Sequence, residues 1–260
     1  MAILLPVSNE QKAHVVEVFS SVQGEGPWVG VRQIFVRLLG CNLDCAYCDA
    51  PETKVRQPLC RIEDDPASGR FRTRPNPVSR EDLLEEVQSF GPASGFHSVA
   101  ITGGEPLLQH RFLKRFLPEL HALGHSVYLE TSGELWKALE QISQWVDYCA
   151  MDIKLPSSSG ERALWTEHRD FLTVCRGADI QTFAKAVVGA NTPDDEIEAA
   201  AEVIAEVWPD TLLVLQPVTP FGAVTQAPSA AQLLRQQMVA RRILPNVRVI
   251  AQMHKVLGVL

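Results

Sequence analysis

Three closely spaced cysteines are the residues of this sequence best suited to chemistry. Cys41, Cys45 and Cys48 follow the spacing Cys-x3-Cys-x2-Cys. Thiolates in so short a loop can bind three irons of a cubane cluster and leave the fourth iron without a protein ligand. An open iron is typical of a cluster that does chemistry, whereas four cysteine ligands are typical of electron storage. The spacing therefore predicts a reactive iron–sulfur cluster.

A zinc site is the alternative interpretation of the same loop. Structural zinc usually takes four protein ligands, often from two Cys-x2-Cys pairs. This sequence has no second pair, and Cys60, Cys149 and Cys175 are isolated from one another. The ligand count favours the cluster and leaves a zinc-binding interaction module as an alternative of another class.

Composition limits the kind of protein this is. The chain has 260 residues, 46% of them hydrophobic, and a formal net charge of −7. That length suits one large domain, residues 1–260. The acidic balance argues against a nucleic-acid partner. The sequence has neither an apolar run of membrane-spanning length nor a signal-peptide pattern, so we expect a cytoplasmic protein without a membrane partner.

Apolar runs alternate with amphipathic stretches along the chain. We predict strands at His14–Val18, Gln33–Leu39, His97–Thr102, His125–Glu130, Val146–Lys154, Ile180–Val188, Thr211–Gln216 and Val247–Ala251. We predict helices from Ser79 and over Gln109–Leu123, Glu134–Gln144, Pro193–Val207 and Ala230–Arg242. This alternation predicts an α/β fold with a parallel sheet, arranged as a partial (β/α) barrel in a single domain. Residues 51–78, rich in proline and charge, are predicted to be a loop insertion.

Polar residues follow several of these strands, and the carboxyl ends of barrel strands collect reactive groups. Gly103 and Gly104 allow a ligand to approach the backbone, and Glu105 can accept from an ammonium group. Ser132 can bind a ligand or cap a helix. Asp152 and Lys154 share one face of a strand end, either for a ligand or as a plain ion pair. An amide at the end of a later strand, Gln216, is a further candidate.

A second polar segment lies near the start of the chain. Gln23 offers a donor and an acceptor, and Glu25 can accept two hydrogen bonds, a combination that suits an aminopyrimidinone ring. A flexible hairpin is the alternative for this glycine-rich stretch, which includes Gly24. Arg37 offers a fork to a carboxylate, with a surface ion pair as its alternative.

The Cys41–Cys48 loop, with Tyr47 before its last cysteine, resembles the cluster loop of the radical S-adenosylmethionine (SAM) superfamily. The segment Gly103–Pro106 resembles the Gly-Gly-Glu-Pro segment of that superfamily. The resemblance implies that SAM binds the open iron of a 4Fe–4S cluster. It also implies that the abstracting species is a deoxyadenosyl radical, so no protein side chain is expected to be catalytic.

Further segments narrow the resemblance. Ser21–Gly26, Phe35–Cys41, Cys48-Asp49 and Gln252–Gly258 resemble the 7-carboxy-7-deazaguanine synthase family. That resemblance implies a carbon–nitrogen lyase of queuosine biosynthesis, which contracts the ring of 6-carboxy-5,6,7,8-tetrahydropterin with loss of ammonia. It implies magnesium as a further cofactor. We also expect an electron donor such as flavodoxin, and a homodimer as the commonest assembly.

The resemblance also implies a role for each matching residue. The cluster ligands are Cys41, Cys45 and Cys48. The expected SAM-binding residues are Tyr47, Asp49, Gly103, Gly104, Glu105, Ser132, Asp152, Lys154 and Gln216. The expected substrate-binding residues are Val22, Gln23, Gly24, Glu25, Arg37 and Thr102.

Two positions depart from the family pattern. Ala50 stands where the family usually has a hydroxyl residue that helps to bind magnesium. Water, Asp49 or Thr53 can fill that place, the metal requirement can be weaker, or the substrate can differ. Leu260 stands where the family often ends in proline. A glycyl-radical activating enzyme shares the cysteine spacing and is a further alternative, although Gln23–Glu25 and Arg37 suit a small anionic heterocycle better.

The cluster assignment predicts the effect of one substitution. Cys45→Ala should abolish both the cluster and SAM cleavage, because two thiolates cannot hold the cubane in place. Absorbance near 400 nm and deoxyadenosine release, measured anaerobically, check this. A coloured and active variant would disprove the ligand assignment.

Overall fold

The protein is described here by a computed structural model that covers residues 10–222 and 224–259. Its strands are β1 (Lys12–Ala13), β2 (Val15–Val22), β3 (Arg32–Leu38), β4 (Leu59–Glu63), β5 (Phe71–Pro75), β6 (Val78–Ser79), β7 (Ser98–Gly103), β8 (Val127–Thr131), β9 (Tyr148–Ile153), β10 (Gln181–Val188), β11 (Leu212–Pro217) and β12 (Val247–Val249). Its helices are α1 (Arg80–Ser89), α2 (His110–Ala122), α3 (Trp136–Glu140), α4 (Pro156–Ser159), α5 (Trp165–Gly177), α6 (Asp194–Val207), α7 (Ala230–Arg241) and α8 (Met253–Leu257).

Ten of these strands form one sheet in the order β12-β11-β10-β9-β8-β7-β3-β2-β4-β5. Neighbouring strands from β3 through β7 to β12 all pair in parallel. The strand β2 pairs antiparallel with β3 and parallel with β4, and β4 and β5 form an antiparallel hairpin. The mostly parallel α/β sheet confirms the predicted fold class. Every helix of the described part is too short or too polar to cross a membrane.

The loop prediction for residues 51–78 was wrong over β4 and β5. Cys60 and Ile62 of β4 are fully buried and alternate with the exposed Leu59 and Arg61, so this segment has the period of a half-buried strand. The prolines that suggested a loop include Pro58 and Pro75, which flank or end the strands, where a missing N–H costs the least. The hairpin thus extends the sheet beyond β2.

Two of the helix predictions were also wrong. The helix α5, which was not predicted, buries His168, Phe171, Leu172 and Cys175, at the spacing of one helical face. The helix predicted over Glu134–Gln144 is shorter than expected, since α3 covers five residues, little more than one turn. Tertiary contacts decide the length of a helix as short as α3.

The sheet has two differently packed faces. The larger apolar cluster combines strand residues with the buried faces of the helices, so the helices cover the outer face. The smaller cluster consists mainly of strand residues of the inner face: Phe19, Phe35, Ala100, Tyr128, Ala150, Phe183 and Val214. Phe19 pairs in register with Phe35, Phe35 with Ala100, and Ala100 with Tyr128. This row forms an apolar surface on the inner face of the sheet.

The packing of α2 predicts a stability effect. Phe116 is fully buried and stacks on Phe112 with ring centroids 5.2 Å apart. Phe116→Ala should lower the free energy of unfolding by about 3–5 kcal/mol, because it leaves a cavity in the core. Lys114→Ala, on the exposed face of the same helix, is the matched control and should stay within about 0.5 kcal/mol of the wild type. Urea denaturation of both variants measures the difference, and equal stabilities would contradict the packing described here.

Candidate active site

A cavity of about 560 Å³ opens at the carboxyl ends of the parallel strands. It is lined by all the predicted site residues except Glu105: Val22, Gln23, Gly24, Glu25, Arg37, Cys41, Cys45, Tyr47, Cys48, Asp49, Thr102, Gly103, Gly104, Ser132, Asp152, Lys154 and Gln216. The strand ends bring these residues together because parallel neighbours end at the same edge of the sheet.

The cysteine loop is fixed by the end of the neighbouring strand. Leu38 at the end of β3 pairs in register with Gly103 of β7, and the Glu105 N–H donates to the Gly40 carbonyl at 2.7 Å. A Cβ at Gly104 would lie 2.2 Å from the Gly40 oxygen and 2.7 Å from the Cys41 Cβ. Only glycine fits at this position, so Gly104 acts first as a close backbone contact for the loop.

The three thiols face the cavity as free cysteines and are partly buried. Burial raises the pKa of Cys41 to about 11 and raises the pKa of Cys45, while Lys154 opposes both shifts. A cationic metal centre offsets this cost, because the thiolate is the form that binds metal. The donor set and its placement therefore fit an iron–sulfur cluster held from one side.

Glu105 does not lie on the cavity. Its carboxylate is fully buried and accepts from the Thr131 hydroxyl, the Leu107 N–H, and both the N–H and the hydroxyl of Ser132. Burial raises the pKa of Glu105, and these hydrogen bonds oppose the rise. Protein donors surround both carboxylate oxygens, and the contact between Glu105 and an ammonium group stays a prediction. Glu105 instead ties the ends of β7 and β8 together.

Glu25 is held by residues from three distant parts of the chain. Its Oε1 accepts from the Nε2 atoms of Gln216 at 3.0 Å and Gln252 at 2.9 Å, and its Oε2 pairs with Lys185. Burial alone would raise the pKa of Glu25, but Lys185 and the hydrogen bonds lower it to about 2. The carboxylate is therefore ionised at neutral pH.

Lys185 is a site residue that the sequence reasoning missed. Besides Glu25, its Nζ lies 3.4 Å from Asp152 Oδ2, which also accepts from Lys154 at 2.9 Å. Lys154 in turn donates to the Tyr47 hydroxyl at 3.3 Å. The available signal was the position of Lys185 two residues after the buried Phe183, on the inner face of a strand with few other polar residues.

The side-chain amide of Gln23 forms its hydrogen bonds with other protein groups. Its Nε2 donates to Gln33 and, at 2.8 Å, to Glu130, and its Oε1 accepts from the Glu25 N–H. Three of the four hydrogen-bonding positions of this amide face protein, and its contact with a ring edge stays a prediction. Glu130, which was not predicted, also accepts from the Thr102 hydroxyl at 2.8 Å. Its signal was an acid at the end of a strand beside the predicted hydroxyls.

Arg37 forms the ion pair that was its alternative interpretation, yet it also lines the cavity. Its Nε donates to Glu17 Oε1 at 2.9 Å, and its guanidinium lies 5.8 Å from the Phe19 ring centroid. Among the described residues, no hydrogen bond from the two Nη atoms of Arg37 is observed. These two groups can still bind an anion.

The magnesium candidates differ in position. Thr53 is fully buried and donates to the Ala50 carbonyl at 2.6 Å, so it does not reach the cavity. Asp49 does line the cavity and pairs with Lys255 at 3.1 Å. In residues 10–222 and 224–259, no three His, Cys, Asp or Glu side chains converge on a single metal ion. Leu260 lies outside the described residues.

The C-terminal segment closes over the polar segment near the start. The Met253 N–H donates to the Gly24 carbonyl at 2.8 Å, and a Cβ at Gly24 would lie 2.1 Å from the His254 ring. Gly24 is required by this close contact. The contact brings Gln252, His254 and Lys255 to the cavity.

Several buried polar atoms at the cavity have no hydrogen-bond partner among the described residues. They include Asp152 Oδ1, Gln216 Oε1 and the Tyr128 hydroxyl. Buried polar groups are normally paired, so such atoms indicate where a ligand completes the site. These atoms, together with the close approach at Gly104, fit a polar cofactor next to the cysteine loop.

The surroundings of Glu25 predict a dependence of stability on pH. Its pKa is lowered from 4.5 to about 2, so its contribution is present above pH 4.5 and is lost as the pH falls towards 2. The shift corresponds to about 3 kcal/mol. Glu25→Gln should therefore lose less stability than the wild type between pH 5 and pH 2.5, measured by urea denaturation. Parallel losses in both proteins would contradict the ion pair with Lys185.

Comparison with known proteins agrees with this geometry. The profile of the radical SAM superfamily matches residues 36–204. The chain is 45% identical over 249 residues to the 7-carboxy-7-deazaguanine synthase of Geobacter sulfurreducens, covering 95% of this chain and 97% of that protein. It is 37% identical over 264 residues to the 7-carboxy-7-deazaguanine synthase of Methanothermobacter thermautotrophicus, covering 95% and 98%.

A solved structure extends the comparison to the fold. The crystal structure of QueE from Escherichia coli superposes with a TM-score of 0.60 at 25% identity, and the match covers 94% of this chain and 95% of that one. Sequence and fold thus agree over nearly the full length of both proteins. The chain belongs to the 7-carboxy-7-deazaguanine synthase family of the radical SAM superfamily.

Proposed function

We propose that this enzyme contracts the ring of 6-carboxy-5,6,7,8-tetrahydropterin to 7-carboxy-7-deazaguanine with loss of ammonia, a step towards queuosine and related deazapurines. The observation that carries the proposal is one cavity that joins the three thiols of the cysteine loop to Glu25 and to the free Nη groups of Arg37. Family membership leaves the zinc module and the glycyl-radical activating enzyme without support.

Membership in the radical SAM superfamily implies a 4Fe–4S cluster and SAM. We assign the cluster to Cys41, Cys45 and Cys48, and SAM to the side of the cavity next to them. The SAM-binding residues are Tyr47, Asp49, Gly103, Gly104, Ser132, Asp152, Lys154 and Gln216. Held there, the cluster and SAM would supply radical hydrogen abstraction to the substrate. The protein contributes position and a dry environment.

The part of the cavity around Glu25 and Arg37 suits a carboxylated pterin. Glu25 Oε2 has one protein partner and keeps a lone pair for a ring N–H donor. Arg37 can bind a carboxylate with its free Nη groups, and the Phe19 and Phe35 rings, stacked 5.0 Å apart, offer an apolar surface. Val22, Gly24 and Thr102 complete this wall, where Thr102 is oriented by Glu130.

We further propose a flavodoxin-type electron donor and a homodimer, both of which rest on the family resemblance. Magnesium is the third such proposal. Ala50 supplies no side-chain oxygen and Thr53 is buried, so an ion here depends on water, substrate oxygens and Asp49.

The function is tested by anaerobic turnover of the reconstituted enzyme with SAM, a strong reductant and 6-carboxytetrahydropterin, followed by mass spectrometry. Formation of 7-carboxy-7-deazaguanine supports the proposal. Deoxyadenosine release without that product would retain the radical chemistry and exclude this substrate.

The position of Ala50 gives a prediction for magnesium. Ala50→Thr should strengthen the dependence of turnover on magnesium, because it places a hydroxyl oxygen at the edge of the cavity. The rate measured against magnesium concentration, in wild type and variant, checks this. Identical magnesium curves would mean that the ion is absent or is bound elsewhere.

A further inference from the structure

One row of charged residues crosses the first strands of the sheet. In register, Arg61 of β4 pairs with Glu17 of β2, Glu17 pairs with Arg37 of β3, and Arg37 pairs with Thr102 of β7. Residues in register share a face of the sheet. All four line the cavity.

Two guanidinium groups share one carboxylate in this row. Arg37 donates to Glu17 Oε1, and Arg61 donates through Nη2 to Glu17 Oε2. The Glu17 side chain is only 6% exposed, whereas that of Arg61 is 52% exposed. With two cations and one anion, the Arg61–Glu17–Arg37 group carries a net charge of +1 at the wall of the cavity.

Arg61 is held in place by its own hairpin. Its guanidinium carbon lies 4.7 Å from the ring centroid of Phe71, which is on β5 and pairs with Glu63 of β4. Stacking on an aromatic face limits the freedom of the side chain and keeps its positive charge next to Glu17. The hairpin therefore supplies this charge to the cavity, although its sequence was predicted to be a loop insertion.

Without Arg61, Glu17 would neutralise Arg37 one to one. The local charge would fall to zero, and a negative ligand would meet the field of Glu17 as well as that of Arg37. A second cation on Glu17 removes this competition, because opposite charges at hydrogen-bond distance offset each other.

We propose that Arg61 is a specificity-determining, positioning residue: by sharing Glu17 it keeps Arg37 available for the carboxylate of an anionic substrate. This inference rests on the proposed function and adds the selection of carboxylated over uncarboxylated pterins. Arg61 acts through Glu17 and Arg37, and its effect is on binding.

Binding to the reconstituted, SAM-loaded enzyme tests the proposal, by fluorescence titration with 6-carboxypterin and with pterin, which lacks the carboxylate. Arg61→Ala should weaken 6-carboxypterin binding about tenfold, the size of one charge-assisted contact, and leave pterin binding within about twofold. In turnover, KM for 6-carboxytetrahydropterin should rise and kcat should change little.

Removal of the competing charge provides the rescue. The double variant Glu17→Gln with Arg61→Ala has a net charge of +1 in the row again, so it should recover most of the lost 6-carboxypterin affinity. A structural role for Arg61 would not be rescued in this way. Arg70→Ala is the matched control, because Arg70 lies in the connection between β4 and β5, is 72% exposed and pairs only with the equally exposed Asp65 among the described residues.

Cluster content and substrate-independent SAM cleavage verify that each variant is folded and loaded. Equal weakening of both pterins in Arg61→Ala, unchanged 6-carboxypterin binding, or failure of the double variant to recover would overturn the inference. A wild-type enzyme that neither binds 6-carboxypterin nor forms 7-carboxy-7-deazaguanine would overturn the proposed function, and the inference with it. The two failures are therefore distinguishable.

Discussion

The hydrogen bond from the Glu105 N–H to the Gly40 carbonyl is the contact on which the site depends. It joins the end of β7 to the start of the cysteine loop, and the Glu105 side chain extends the same connection to Thr131, the last residue of β8, and to Ser132. An unpaired buried carboxylate would cost several kcal/mol, so this set of donors is needed as a whole. One buried acid thus fixes three strand ends relative to one another.

Charge compensation is the second constraint on the cavity. Acids and bases alternate around its wall, and each buried carboxylate has a cation or an amide beside it. Glu25 is the most distant in sequence from its partners, since Lys185 and Gln252 lie on β10 and before α8. The C-terminal segment is therefore part of the site and cannot be regarded as a separate tail.

The sequence predicted which residues reach the cavity far better than what their polar atoms do there. Strand ends are visible as changes of hydrophobic period, and parallel strands bring these ends together, so the cysteine loop, Asp152 and Gln216 were placed correctly. The hydrogen bond from Gln23 to Glu130 was not predictable, because the two residues are 107 positions apart in sequence. The loop prediction for residues 51–78 was wrong for the opposite reason. The proline-rich, charged composition there suggested a loop, although β4 pairs regularly with β2.

Some polar groups at the site are paired with protein and others are unpaired, and this difference determines which ligands the cavity can bind. Glu105 is surrounded by protein donors and Gln23 has three protein partners, whereas Asp152 Oδ1 and Gln216 Oε1 are buried acceptors that lack donors among the described residues. Each such acceptor costs about 1–3 kcal/mol unless a ligand donates to it. The Nη atoms of Arg37 are free donors at the same cavity. A ligand set that offers donors to these acceptors and a carboxylate to Arg37 satisfies both at once, whereas an apolar ligand satisfies neither.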